Sequence, residues 1–293
     1  MYERHKYKEV STSFLPEPDH VATLKRDGAN YFVPVAEDGS LAFISRRESV
    51  RGGYPDRTAS LPHLTAKKLP QYAGNVYNVE LIHTGHTKNF PESHRQLSGI
   101  LNSLPERAKA TQAALGPIRA VLHNVINPDL GTYSEKRKHM EEVVAALDIP
   151  EVFFLDEAHT GPAIRDLIES TRRHGREGVI ITSLTRPESD NPRLKIKHKL
   201  HHNLRISKII QEVDKNGNLK NSMGAAEVSD ASGKVVGTVG TGWSRADRLS
   251  AFQRPSEWVG RLIQVESMGL ALNKLRSPVY NGDADGDIDL VTS

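Results

Sequence analysis

The chain has 293 residues, with 39 Lys and Arg against 36 Asp and Glu, a formal net charge of +3 and no cysteine. That length exceeds the usual single domain of about 100 to 200 residues, so two domains are expected, and the absence of cysteine excludes disulfides, thiolate zinc sites and cysteine nucleophiles. The basic excess is compatible with a polyanionic partner and too small to establish one; no run reaches the ~18 apolar residues of a membrane helix, and the opening "MYERHKYKEV" lacks an apolar signal segment, so the cytoplasm is the expected compartment.

From residue 19 to 47 short apolar runs alternate with turn signals in "HVATLKRDG", "NYFVPVAEDGS" and "LAFISRR". This predicts an antiparallel meander with a hairpin at "EDGS". A further strand is expected at "NVYNVELIH" (75–83). Residues 92–115 carry a helical pattern that Pro105 should break or kink. The apolar run "IRAVLHNVI" (118–126), between Pro117 and "NPD", reads as a buried strand. Helices are expected at 133–148, with Ser134 and Arg137 at the capping positions, and at 160–175, with Thr160 as cap, Pro162 in the first turn and Gly175 as stop.

After "GVIITSL" and "RLKIKHKL" the texture changes. Short strand-like runs separated by turns at "DKNGN", "DASGK" and "GTGW", a helix near 244–253 and strands near 261–266 and 275–280 suggest a small barrel such as an OB-fold. The domain boundary is therefore expected near residue 203. Trp243 and Trp258 are expected in the core of that barrel rather than as base-stacking platforms. The run 193–208 carries Lys and Arg and no acid, the strongest electrostatic footprint in the chain.

Taken alone, "KRDG" (25–28) reads as a solvated turn. An ordered series alters that reading: Lys25-x-Asp27-Gly28, then Ser45-Arg46, Glu80 in "VEL", Glu177 opening "EGVI", and Lys195 and Lys197 in "KIK". With cysteine absent, covalent chemistry falls to Lys, Ser, Thr, His or a carboxylate. A lysine attacks only as the neutral amine, a form that nearby cations favour. Two lysines at i and i+2 of a strand share a face and can reach one phosphate. Glu80 and Glu177 border apolar strand runs, where a half-buried carboxylate is costly unless it meets a metal or a donor.

This series resembles the covalent nucleotidyltransferase superfamily and, within it, the small ATP-dependent DNA ligases of bacteriophage type, over about residues 21–280. The resemblance implies an α+β fold: an adenylation domain of antiparallel sheets with flanking helices at 1–203, then an OB-fold β-barrel domain at 204–293. It implies that Lys25 accepts AMP from ATP, passes it to the 5'-phosphate of nicked duplex DNA, and that the 3'-hydroxyl then displaces it. The implied ATP-binding residues are Thr23, Lys25, Asp27, Gly28, Arg46, Glu80, Glu177, Lys195 and Lys197, with Lys25, Lys195 and Lys197 catalytic. Glu80 and Glu177 are the implied ligands of Mg²⁺ or Mn²⁺, and Arg46, Lys199 and Arg205 the implied DNA contacts. Arg47 should face away from Arg46 and matter less. A monomer is the expected state.

The carboxy-terminal stretches "DASGKVVGTVGTGWSRADR", "PSEWVGRLIQVES" and "LRSPVY" resemble the OB domain of the same ligases. Four departures stand out. Asn30 occupies a position where the family carries arginine, Thr182 one where a basic residue is frequent, and 118–126 lacks the expected adenine-stacking aromatic, for which His123 is the substitute. The family's final Arg-x-Asp-Lys motif is replaced by "NGDADGDIDLVTS", read as a flexible acidic tail, and its loss predicts slow self-adenylylation. Two alternatives follow: an RNA ligase or capping-type nucleotidyltransferase on the same scaffold, or a catalytically degenerate nick-binding protein.

Overall fold

A computed structural model describes residues 7–49, 52–83, 94–127, 129–174, 176–271 and 274–291. The chain forms two compact units, Met1–His198 and Lys199–Ser293.

The first unit is built on two five-stranded sheets. Its strands are β1 (Tyr7–Glu9), β2 (His20–Leu24), β3 (Ala29–Pro34), β4 (Ile44–Ser45), β5 (Val76–Ile82), β6 (Arg119–Ile126), β7 (Phe153–Phe154), β8 (His159–Thr160), β9 (Gly178–Ser183) and β10 (Arg193–Lys197). One sheet has the order β1-β10-β9-β2-β8 and the other β4-β3-β5-β6-β7. The expected continuous meander over 19–47 is therefore divided. β2 pairs with β9, β3 pairs with β5, and Lys25–Gly28 carries the chain from one sheet to the other. The reason lies in the partners of the apolar residues: Ala22 packs with Ile164, Ile168, Val179, Ile181 and Ile196, whereas Tyr31 and Val33 join a larger core with Val79, Leu81 and Leu122. The hairpin at "EDGS" forms as expected, with Gly39 at φ 80° and Val35 bridging Leu41.

The break at Pro105 separates the helices His94–Leu101 and Pro105–Leu115, with the proline in the first turn, where its missing N–H costs nothing. The helix Tyr133–Leu147 starts differently from the expectation at Ser134 and Arg137. Its cap is Thr132, extended at φ −127° and ψ 161°, and Glu135 completes a reciprocal capping box. Arg137 instead bonds Glu141 and the carbonyl of Asp156. The helix Ala163–Arg173 has no side-chain cap, because Thr160 lies in β8 opposite Val21 and is committed to the sheet. The stop assigned to Gly175 lies outside the described residues.

The second unit contains β11 (Leu200–Val213), β12 (Leu219–Ser229), β13 (Val235–Val239), β14 (Leu262–Ser267), β15 (Leu270–Ala271), β16 (Lys274–Leu275) and β17 (Val279–Asp283), with the helix Arg245–Gln253 between β13 and β14. Its main sheet has the order β13-β12-β11-β14-β17. Two strands are much longer than the short runs expected: β11 has 14 residues and runs through residue 203, and β12 has 11. Thr241, two residues past β13, forms an isolated bridge with Val279 of β17, and the described residues form no closed barrel ladder. Trp243 and Trp258 are core residues, 7% and 5% exposed, in an edge-to-face pair at 6.0 Å. Trp243 also stacks on Tyr280 at 3.8 Å, and its indole N–H donates to the Val239 carbonyl.

The acidic tail is docked, contrary to the flexible segment expected. Asp289 and Asn203 exchange backbone and side-chain bonds: Asn203 N donates to Asp289 Oδ2 (2.7 Å) and Asp289 N donates to Asn203 O (2.8 Å). Ala231 N donates to the Asp289 carbonyl, and Val291 is buried. A carboxylate here satisfies a backbone donor of β11, a use of acidic residues that charge counting does not show. Asp289→Ala should cost about 1 kcal/mol and lower the unfolding midpoint of this unit by about 4 to 8 °C, as read by calorimetry. No described helix is long and apolar enough to cross a membrane.

Candidate active site

The crossing segment Lys25–Gly28 runs along a cavity of about 540 Å³ in the first unit. Thr23, Lys25, Asp27, Gly28, Arg46, Glu80, Glu177, Lys195 and Lys197 all line it, although they come from strands β2, β5 and β10 and from the segments beside β2, β4 and β9. Lys199 and Arg205 belong to the second unit: Lys199 Nζ lies 3.0 Å from Glu266 Oε1, and Arg205 donates to the Gly260 carbonyl.

The segment is held by backbone fit and by side-chain anchors. A Cβ on Gly28 would lie 2.2 Å from the Leu81 carbonyl oxygen, so only glycine lets the crossing lie against β5. Gly28→Ala should destabilise the unit by about 1 to 3 kcal/mol, and a thermal melt compared with nucleotide binding would show both falling. Lys25 N donates to the Gly178 carbonyl (2.9 Å). Gly178 itself has φ 141°, and a Cβ there would sit 1.9 Å from Ile196 O; this close approach places Lys197 opposite Gly178. Arg26 is no solvated tip. Its Nε donates to both carboxylate oxygens of Asp156 (3.0 and 3.1 Å), Nη2 adds a further bond, and Arg137 holds the Asp156 carbonyl at 2.9 Å.

The charges are arranged around a carboxylate. Lys25 Nζ lies 2.6 Å from Glu177 Oε1, and Lys197 Nζ lies 4.0 Å from the same oxygen. Lys195 pairs with Glu9 at 3.6 Å. The sequence reading made cations the neighbours that act on Lys25; the structure adds Glu177 at its amine, a group able to take the ammonium proton. Arg46 contributes the other notable feature. Its backbone N donates to the Asn30 carbonyl, while its Nε is buried with no hydrogen-bond partner among the described residues. Arg46 lines the cavity, and a guanidinium there is suited to an incoming anion. Arg47 lines the same cavity and is exposed, rather than turned to an opposite face. β4 ends at Ser45, so strand alternation no longer governs the two arginines.

Asn30 explains one of the departures. Its Nδ2 donates to Glu80 Oε2 (3.1 Å) and Asn78 Oδ1 (3.0 Å) and lies 3.0 Å from His123 Nε2; Asn78 donates back at 3.0 Å. The register Asn30↔Glu80 between β3 and β5 makes this contact unavoidable. Burial pushes the Glu80 carboxyl up to about 7, opposed by the Asn30 hydrogen bond and by Lys25 and Arg46. Thr182 is buried in β9 opposite Val21, a packing position. Glu80 and Glu177 face one cavity and offer hard carboxylate oxygens, the donor type that Mg²⁺ prefers, so the residues fit such an ion.

Sequence reasoning missed Tyr7, Glu9, Asn78, Arg137 and Asp156. Asp156 follows the apolar run "VFFL", and an acid closing such a run was a usable signal; nothing local marked Tyr7 or Glu9.

No protein-family model matches the sequence, and no curated protein matches it. Solved structures do match by fold. One comes from a structure-function study of Lig E DNA ligases and of DNA binding with a minimal scaffold: TM-score 0.65, 15% identity, covering 91% of this chain and 93% of that one. A second, "Pmar-Lig_PreS3", has a TM-score of 0.65 at 15% identity and covers 95% of this chain and 67% of that one. A third, "Pmar-Lig_Pre.", has a TM-score of 0.62 at 16% identity, covering 89% and 62%. At these identities the likeness is one of fold: the chain folds as the Lig E DNA ligases do.

Proposed function

We propose that this protein is an ATP-dependent DNA ligase that seals nicks carrying a 5'-phosphate and a 3'-hydroxyl. The observation that carries the reading is the meeting of Lys25, Glu177, Lys195, Lys197 and Arg46 in one cavity. A nucleophilic amine, a proton acceptor and a ring of phosphate-binding cations are what nucleotidyl transfer to lysine requires.

In the first step Lys25 Nζ bonds to the α-phosphorus of ATP as the bond to pyrophosphate oxygen breaks; Glu177, 2.6 Å away, is placed to receive the ammonium proton. An oxygen of the DNA 5'-phosphate then attacks the adenylate phosphorus, the N–P bond breaks and Lys25 regains its proton. Finally the 3'-oxygen attacks the 5'-phosphorus and AMP leaves. Arg46, Lys195 and Lys197 neutralise phosphate charge in each step. Glu80, together with Glu177 when it does not hold the proton from Lys25, would hold a divalent ion such as Mg²⁺, which would supply additional charge neutralisation at the phosphates. In the second unit the five-stranded sheet, with Thr241 just past β13 bridged to Val279, supports an OB-type reading, and on that reading Lys199 and Arg205 are assigned to DNA binding.

Sealing of a 5'-labelled nick in duplex DNA tests the proposal. ATP and Mg²⁺ should convert the label to a phosphatase-resistant form, and GTP should not. Label transfer from GTP alone would favour a capping-type enzyme, and open nicks in every condition, preadenylylated ones included, would favour a nick-binding protein.

A further inference from the structure

The cavity is walled on one side by a segment to which the reaction above assigns no role. β1 is the edge of its sheet and runs parallel to β10, with Tyr7 opposite Arg193 and Glu9 opposite Lys195. Residues two apart on a strand share a face, and Glu9 reaches Lys195 Nζ at 3.6 Å, so Tyr7 and Glu9 both address the side on which the phosphate-binding lysines lie. Three tyrosines line the cavity. Tyr31 and Tyr133 are only 5% and 4% exposed, and the Arg193 guanidinium covers the Tyr133 ring at 4.7 Å. Tyr7 is 38% exposed and thus the tyrosine with surface to offer a ligand.

We infer that Tyr7 is a further nucleotide-contacting residue, its phenolic hydroxyl donating a hydrogen bond to the ribose-phosphate part of the bound nucleotide. This rests on the ligase reading and deepens it. Tyr7 lines the same cavity as Lys25, Arg46, Glu80 and Arg193, which puts it on the wall shared by the nucleophile and the phosphate cations. At neutral pH a tyrosine hydroxyl keeps its proton and is a donor, matched to the acceptor oxygens of a nucleotide. The attachment of this segment does not depend on that hydroxyl, since its backbone is tied through Val10 N to the Lys195 carbonyl at 3.1 Å.

The test compares the Tyr7→Phe protein with wild type in self-adenylylation by labelled ATP, with Lys8→Ala as a control from the other face of β1. Phenylalanine keeps the ring and removes only the donor. The expected result is an ATP KM raised about tenfold, kcat within about twofold, an unchanged thermal midpoint, and a Lys8→Ala protein that behaves as wild type. A Tyr7→Phe KM within about twofold of wild type, while wild type labels normally, overturns this inference alone. A wild-type protein that takes no label from ATP overturns the ligase reading and this inference with it.

Discussion

Lys25→Ala is expected to lower ATP-dependent nick sealing by more than about 10³-fold, because loss of a covalent nucleophile removes the first step itself and not merely a stabilising contact. The same variant should retain sealing of a nick that already carries AMP on its 5'-phosphate. In that last step the attacking group is the DNA 3'-hydroxyl and the leaving group is AMP, so no bond to Lys25 forms or breaks. The structure allows the fold to survive the change. The crossing segment is held by the Lys25 backbone bond to Gly178, by the fit of Gly28 against Leu81 and by the Arg26 fork on Asp156, all of which persist. Parallel assays on plain and preadenylylated nicks check this; equal loss on both substrates would indicate a structural defect.

Arg46→Ala is the second change with a large expected effect. Removing a preorganised donor from a phosphate-transfer site typically costs on the order of 10²- to 10³-fold in rate, and the loss should fall on sealing with little change in stability. The contrast follows from the orphan Nε: that atom has no hydrogen bond to lose among the described residues, so the thermal midpoint should move by the equivalent of less than about 1 kcal/mol. Arg46→Lys should recover little, because an ammonium cannot reproduce a planar fork against phosphate oxygens. Steady-state sealing measured beside a thermal melt separates the two quantities. Equal falls in both would assign Arg46 to packing.

How much was legible in the sequence depended on the range of the interactions involved. Strand β6 and the helix break at Pro105 were readable because they are set by local apolar patterning and by proline chemistry. The cavity lining was readable because short motifs carried it: Lys25, Arg46, Glu80, Glu177, Lys195 and Lys197 line one cavity from distant parts of the sequence. Pairings at long sequence separation were not readable. The division of the 19–47 run between two sheets depends on Val179 and Ile181, more than 130 residues away, and the capture of Arg26 by Asp156 spans 130 residues. The Glu177 contact with Lys25 was hidden for a similar reason, since it depends on the approach of Gly178 to both Lys25 and Ile196. The acidic tail was misjudged because net charge does not show that Asp289 meets the backbone of Asn203.

The central claim is that Lys25 carries AMP. Peptide mass spectrometry of the protein after incubation with ATP and Mg²⁺ tests it most directly: the account predicts an acid-labile AMP adduct on the peptide containing Lys25. An adduct on another residue, or ATP-dependent nick sealing with no adduct on that peptide, would contradict it.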